Sequence, residues 1–222
     1  MIIKPKKLPY PGFNIAAWAL VRILKRRFNK LVIHPDEIRP GCSYLLLCNH
    51  LSFWDGFWAA YLVSETLNSQ APLRGFYAMI LKKQLQKNGW LRYFGCFSVS
   101  PFGNTVKESI AYAADKLNTP GQVVVLFPQG NLESQHVRQI DLKTNGIREI
   151  LNKTEGRVQI LWSSNLTEYF ESLKPSVHFH LLNCGTREDL DLDTLADRIN
   201  AHHQAAIRSH FRFTAESETR KG

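Results

Sequence analysis

Short apolar runs alternate with amphipathic stretches along most of the chain. Seven runs have the length and composition of buried strands, namely residues 31–33, 44–48, 76–80, 97–100, 123–127, 158–162 and 177–182. Stretches with helical periodicity lie between and after them, at residues 53–67, 82–87, 106–117, 145–153 and 192–212. This alternation predicts a single-domain α/β fold with a mixed, largely parallel sheet and helices on both faces.

The N-terminal region differs from the rest of the chain. Residues 13–28 have apolar positions at helical spacing, and residues 1–30 contain eight basic and no acidic side chains. A basic amphipathic helix with one Trp is typical of a helix that lies in a bilayer interface. The alternative is a helix that packs on the core and has a basic outer face. We expect a membrane-contact segment at residues 1–30, the main domain at 31–215 and a flexible tail at 216–222.

Composition and charge narrow the function classes. The chain has 222 residues, 44% of them hydrophobic, and a net charge of +9. Outside residues 1–30 it carries 20 basic and 19 acidic side chains. Because a nucleic-acid binder would distribute its basic residues over a folded face, we expect no nucleic-acid partner. The four cysteines form no CxxC pair, which favours reduced thiols in a cytosolic compartment.

Targeting signals point to a protein that is neither exported nor membrane-spanning. The uncharged stretch at residues 8–21 ends in basic residues, whereas a signal peptide would end in a small-residue cleavage site. No later run reaches the roughly 18 uncharged apolar residues that a transmembrane helix needs.

The turn after the apolar run at residues 44–48 contains the first candidate chemistry. Asn49 and His50 follow the run directly, and Asp55 lies five residues beyond His50. The two side chains can meet if His50 lies in the turn and Asp55 in the first turn of the next helix. Ser52 makes this plausible as an N-cap with Asp55 as its capping-box partner. A purely structural interpretation stays open, in which Asp55 only caps the helix.

A second turn of interest follows the apolar run at residues 123–127. Pro128 and Gly130 mark a turn there. Glycine allows a ligand to approach the backbone closely and leaves its N–H free to donate. The alternative is an ordinary exit from a strand into a loop.

Together the two turns resemble the glycerol-phosphate and lysophosphatidate acyltransferase family. Its NHx4D signature is similar to residues 49–55, and its FPEG block, some 75 residues downstream, is similar to residues 127–130. Residues 82–85 and 95–99 fall where the family has its K-x-E-L and G-x-I-x-V segments, and the resemblance spans about residues 13–185. By this resemblance the substrate-binding residues would be Asn49, Lys83, Gly95, Phe127, Pro128, Gln129 and Gly130.

The resemblance also implies a mechanism. His50 would take a proton from an acceptor hydroxyl, and Asp55 would hold the imidazole tautomer. The alkoxide would attack the thioester of acyl-CoA or acyl-carrier protein without a covalent enzyme intermediate, and backbone N–H groups near Gly130 would steady the oxyanion. A peripheral protein on the cytoplasmic face of the membrane, held through residues 13–28, is expected.

No bound cofactor and no metal are implied. His178 and His180 share a strand face but have no evident third ligand in the sequence, which favours solvent-facing or core histidines.

The chain departs from the family where the acceptor phosphate would bind. Gln129 and Leu132 stand where the family has Glu and Arg, and Ser100-Pro101 stands where it has another Arg. Bidentate phosphate recognition by guanidinium is therefore lost. Possible substitutes are Arg138, Lys143 and Arg148, each of which is alternatively a solvated surface charge. The acceptor could be a lysophospholipid, an aminolipid or a hydroxylated isoprenoid, and the alternative function is a catalytically silent lipid-binding relative.

Overall fold

A computed structural model describes residues 1–6, 19, 21–23, 25–70, 73–101, 103 and 105–212. The strands in this part of the chain are β1 Leu31–His34, β2 Ser43–Cys48, β3 Gly75–Leu81, β4 Cys96–Val99, β5 Gln122–Leu126, β6 Val158–Glu168 and β7 Ser176–Thr186. The helices are α1 Asp55–Gln70, α2 Lys82–Lys87, α3 Val106–Leu117, α4 Asn145–Asn152 and α5 Leu192–Ser209, with a 3₁₀ helix at Gly89–Phe94.

The strands form one mixed, largely parallel sheet. Their order is β1-β7-β6-β2-β5-β3-β4, and every neighbouring pair is parallel except β6 and β7. The predicted fold class is confirmed at this level. Strand β2 lies at the centre, so its C-terminal end delivers the following turn to the middle of one sheet edge, where open α/β sheets gather functional groups.

Helices cover both faces of the sheet. Alternate residues of β2 enter two different apolar clusters, with Leu46 on the side of α1 and Leu45 and Leu47 on the side of α3, α4 and α5. All three leucines are at most 1% exposed. A strand buried on both faces reads as a continuous apolar run, which is why β2 was visible in the sequence.

Strands β6 and β7 extend well beyond the predicted apolar runs. The continuation of β6 contains Ser163, Ser164 and Asn165, which are buried although polar. Their side chains form hydrogen bonds inside the protein: Ser163 Oγ donates to Asn165 Oδ1 at 2.7 Å, and Ser164 Oγ accepts from Trp162 Nε1 at 2.8 Å. Because these partners offset the cost of burial, polar residues occur in a central strand and interrupt the sequence pattern.

Residues 1–6 pack against the domain along β4. Ile2 is buried, and Ile3 donates from its N–H to Ser98 Oγ at 2.8 Å and accepts from the Ser98 N–H at 3.0 Å. Ile2 N–H donates to Glu108 Oε2 at 3.1 Å. The start of the chain therefore belongs structurally to the sheet edge.

Half of the predicted amphipathic helix at residues 13–28, namely residues 13–18, 20 and 24, lies outside the described residues. Among the described ones, residues 21–23 and 25–27 are helical, and Val21 and Phe28 pack against the α1 side of the core. The Phe28 ring meets the Trp58 ring at 5.7 Å. Membrane contact by this segment stays a prediction. Within the described residues, no helix combines the length and apolar character that crossing a bilayer requires.

Candidate active site

His50 and Asp55 meet where β2 passes into α1. Strand β2 ends at Cys48, His50 lies in the following turn, and Asp55 is the first residue of α1. Nδ1 of His50 lies 2.8 Å from Oδ2 of Asp55. The imidazole keeps 21% of its surface exposed, whereas the carboxylate is 1% exposed. The arrangement is thus a solvent-reachable imidazole backed by a buried acid.

The Asp55 carboxylate is held by further donors from the same turn. Oδ2 accepts from the Leu51 N–H at 2.6 Å and the Ser52 N–H at 2.9 Å, and Oδ1 accepts from Ser52 Oγ at 2.7 Å. The predicted capping contact between Ser52 and Asp55 is therefore present. One carboxylate caps the helix and also orients the imidazole, so the structural and chemical interpretations coexist.

The loop after β5 fixes the position of His50. The His50 N–H donates to Gln129 Oε1 at 2.8 Å, and the His50 carbonyl accepts from the Glu133 N–H at 2.8 Å. The Phe127 ring stacks on the imidazole at 4.4 Å between centroids. With Nδ1 donating to Asp55, the lone pair is on Nε2, and among the residues that the structure describes no group hydrogen-bonds to Nε2. The site thus presents an oriented proton acceptor.

Asn49 lies behind the imidazole, and its side chain forms hydrogen bonds within the protein. It is 2% exposed. Its Nδ2 donates to the Asn165 carbonyl at 2.9 Å, and its Oδ1 accepts from the Asn165 N–H at 2.7 Å. This closed pair of hydrogen bonds ties the turn to β6, so Asn49 positions His50 in this structure, whereas a substrate contact was predicted for it.

The predicted glycine turn has its own internal hydrogen bonds. Gly130 has φ of 78°, and its N–H donates to the Phe127 carbonyl at 3.0 Å. Pro128 accepts from the Lys143 N–H at 3.2 Å. Since the Gly130 N–H closes the turn, it is not aimed at an oxyanion in this conformation. Gln129 is 6% exposed, and its Oε1 accepts from the His50 N–H, so its role in this structure is to position His50.

The candidate cations differ in what surrounds them in the structure. Arg148 pairs with Asp193 at 3.1 Å, and the Arg138 guanidinium lies 6.0 Å from the centre of the Phe211 ring. Lys83 is exposed on α2. In contrast, Nζ of Lys143 lies 3.3 Å from the position that a Cβ on Gly130 would occupy. Among these four cations, Lys143 is the one whose ammonium group lies against the Gly130 turn, and Gln129 of that turn binds the His50 backbone.

An exposed aromatic surface adjoins the turn and was missed in the sequence. Its exposed members are Phe53, Trp54 and Trp90, and they are backed by the buried Phe57 and the partly buried Phe94. Phe53, Trp54 and Trp90 are 37%, 49% and 45% exposed. Trp90 stacks on Phe57 at 5.8 Å and approaches Phe53 at 6.5 Å. Contiguous exposed apolar groups of this kind mark a surface for apolar ligands or lipid. The signal available was the Phe53-Trp54 pair three residues after His50.

Backbone conformation and close packing require a glycine at position 95. It has φ of 82° at the end of the 3₁₀ helix, and a Cβ there would lie 2.0 Å from the Phe76 carbonyl oxygen. Gly95→Ala is expected to lower the free energy of unfolding by about 3 kcal/mol, because it adds a clash to a strained backbone conformation. Urea unfolding measures this. Gly146→Ala is the matched control, since nothing lies within 4 Å of its Cβ position, and equal stability of the two variants would contradict the prediction.

Cysteine chemistry does not compete with His50 at this site. All four cysteines are buried and unpaired. Burial raises the pKa of Cys48, and raises the pKa of both Cys96 and Cys184 to about 12. These three thiols stay protonated at neutral pH and are weak nucleophiles.

The sequence offered no evident third ligand for His178 and His180, whereas the structure places two more histidines next to them. His34 and His210 lie beside them, and one ring nitrogen from each of the four lies within 4.8 Å of the others. This proximity could not be predicted from the sequence because the two partners come from β1 and from the residue after α5.

The chain matches no protein-family model, and no relative is found among curated proteins.

Proposed function

We propose that the chain is an O-acyltransferase that moves a fatty acyl group from acyl-CoA or acyl-carrier protein to the hydroxyl of a lysophospholipid-like or glycerolipid-like acceptor. The observation that carries this proposal is the 2.8 Å contact between His50 Nδ1 and the buried carboxylate of Asp55. A base oriented in this way and left open at Nε2 suits proton removal from an alcohol. The resemblance to acyltransferase motifs supplies the choice of reaction.

The proposed step transfers one proton and exchanges one bond. Nε2 of His50 accepts the hydroxyl proton as the acceptor oxygen attacks the thioester carbonyl. The C–S bond then breaks, the new ester forms, and the thiolate takes the proton from the imidazolium. Asp55 stabilises the imidazolium through Nδ1. The proposed step needs no acyl-enzyme.

The aromatic surface supports a lipid substrate. Phe53 and Trp54 lie in the turn between His50 and α1, so an acyl chain placed against them keeps its thioester carbonyl near the imidazole. Burying acyl carbons against such side chains contributes about 0.8 kcal/mol per CH₂ group. We therefore expect longer acyl chains to lower KM more than they change kcat.

Lys143 is proposed to bind an anionic group of the donor or acceptor. Lys143→Gln is expected to raise KM for that substrate about 3- to 10-fold with kcat nearly unchanged. The reason is that an exposed charge binds the substrate and the transition state about equally. Steady-state kinetics at two salt concentrations measure this. Lys153→Gln, which removes an exposed cation from the end of α4, is the matched control. Equal KM values for the two variants would exclude Lys143 from the site.

A catalytically silent lipid-binding protein is the second candidate. It is favoured by Leu132, which is 57% exposed where the family has an Arg. Thiol release from palmitoyl-CoA, measured with and without a panel of lysophospholipids, aminolipids and isoprenoid alcohols, distinguishes the two. Acceptor-dependent release supports the transferase. Lipid binding without release supports the silent protein, and acceptor-independent release indicates a thioesterase.

We propose that residues 13–28 contact the membrane because this region is strongly basic. Lys25, Arg26 and Arg27 are exposed. Changing all three to Gln should lower the partition coefficient onto phosphatidylserine vesicles, measured by flotation at low salt, by about 100-fold, because each basic residue near an anionic surface contributes about 1 kcal/mol. Substitution is preferable to deletion because Ile2 is buried in the domain. Unchanged flotation of the triple variant would place the membrane contact elsewhere.

A further inference from the structure

Four histidines converge on the sheet face opposite α1. We call them the histidine cluster, and its members are His34, His178, His180 and His210. One ring nitrogen of each lies within 4.8 Å of the other three. A cavity of about 390 Å³ lies over the cluster, lined also by Phe170, Ser209 and Arg212.

Strand periodicity and register build the cluster. His178 and His180 are two residues apart on β7, so their side chains point to the same face. His34 pairs with His180 across the parallel β1–β7 ladder. The His34 and His180 rings stack at 3.9 Å with planes 6° apart. His210, which ends α5, completes the set from the helix layer.

Two of the nitrogen separations are close to those of a tetrahedral metal site. Nε2 of His34 lies 3.3 Å from Nδ1 of His178, and Nε2 of His180 lies 3.0 Å from Nε2 of His210. Zinc–imidazole bonds of about 2.0–2.1 Å in a tetrahedron place the nitrogens about 3.3–3.4 Å apart. The other nitrogen pairs lie within 4.8 Å of one another, so the rings would have to draw together, and the stacked His34 and His180 rings would have to reorient, to coordinate one ion.

The surroundings resemble those of histidine metal ligands. Oε1 of Glu168 accepts from Nδ1 of His210 at 3.2 Å, leaving Nε2 to face the cluster. Carboxylates in this position orient metal-binding imidazoles. An imidazole binds metal in its neutral form, with a lone pair available.

We propose that the histidine cluster binds one Zn²⁺ ion and thereby ties the C-terminal end of α5 to the β1–β7 edge of the sheet. Four protein ligands close the coordination sphere, which is the pattern of a structural site. This inference is independent of acyl transfer. Its alternative is a metal-free cluster, in which the two closest nitrogen pairs are hydrogen bonds between neutral imidazoles.

The test uses the full chain without a histidine tag, stripped with EDTA and dialysed. On titration with ZnCl₂ we expect one tightly bound Zn²⁺ per chain and a thermal midpoint raised by about 5 °C. Co²⁺ should give the intense visible absorption of a tetrahedral complex. Glu168→Gln should weaken Zn²⁺ binding about 10- to 100-fold. His34→Ala, on an exposed strand end, and the pair His178→Gln and His180→Gln should weaken it further.

The exposed histidine at position 136, outside the cluster, provides the control. His136→Ala should bind Zn²⁺ as the parent protein does, and circular dichroism checks that each variant is folded. Absence of stoichiometric Zn²⁺ binding by the parent overturns the proposal. Unchanged affinity in folded His34→Ala or in the double variant also overturns it, because binding would then lie elsewhere.

Discussion

His50→Ala is expected to reduce kcat for acyl transfer by about 10²- to 10⁴-fold, which is the usual contribution of a positioned general base. The free energy of unfolding should change by no more than about 1–2 kcal/mol. The side chain is 21% exposed, and Asp55 keeps its three donors from Leu51 and Ser52 when the imidazole is removed. Thiol release and urea unfolding measure the two effects separately.

His136→Ala controls for loss of an exposed histidine and should leave kcat unchanged. A His50→Ala protein that is folded and retains full acceptor-dependent activity would show that another group removes the proton. An unfolded variant would instead be followed by His50→Gln, which preserves most of the side-chain volume.

Asp55→Asn is expected to reduce activity and stability together. The amide cannot accept from Nδ1 and from three further donors as the carboxylate does, so the imidazole loses its preferred tautomer and buried donors lose partners. We expect kcat to fall about 10²- to 10⁴-fold. The free energy of unfolding should fall by about 2–3 kcal/mol, because hydrogen bonds to a charged acceptor contribute more than neutral ones.

Asp115→Asn is the matched control, since Asp115 is an exposed acid whose ion-pair partner within the described part of the chain is the neighbouring Lys116. It should change neither quantity measurably. If Asp55→Asn kept both activity and stability, the buried carboxylate would have neither of the roles assigned to it.

The sequence was informative where the determining contacts are local. His50 and Asp55 are separated by one turn, so the end of a buried strand and a helix N-cap were sufficient to predict that they could meet. The strands β2 and β5 were visible because burial on both faces requires a continuous apolar run. The mixed, largely parallel sheet followed from the alternation of strands and helices.

Features that depend on long-range packing could not be predicted. Gln129 reaches the His50 backbone from 79 positions away, and His34 meets His178 from 144 positions away. The Asn49 side chain binds the backbone N–H and C=O of Asn165 from 116 positions away. Local propensity contains none of this information, because strand register decides which distant side chains become neighbours.

The central claim is that His50 enables transfer of an acyl group onto a lipid hydroxyl. The most direct measurement is mass spectrometry of the lipid products after incubation with isotopically labelled palmitoyl-CoA and a mixture of hydroxylated lipid acceptors. We predict a labelled ester formed in equal amount to the CoA thiol released, with neither formed by His50→Ala above background. Thiol release without any labelled ester, or equal ester formation by His50→Ala, would contradict the claim.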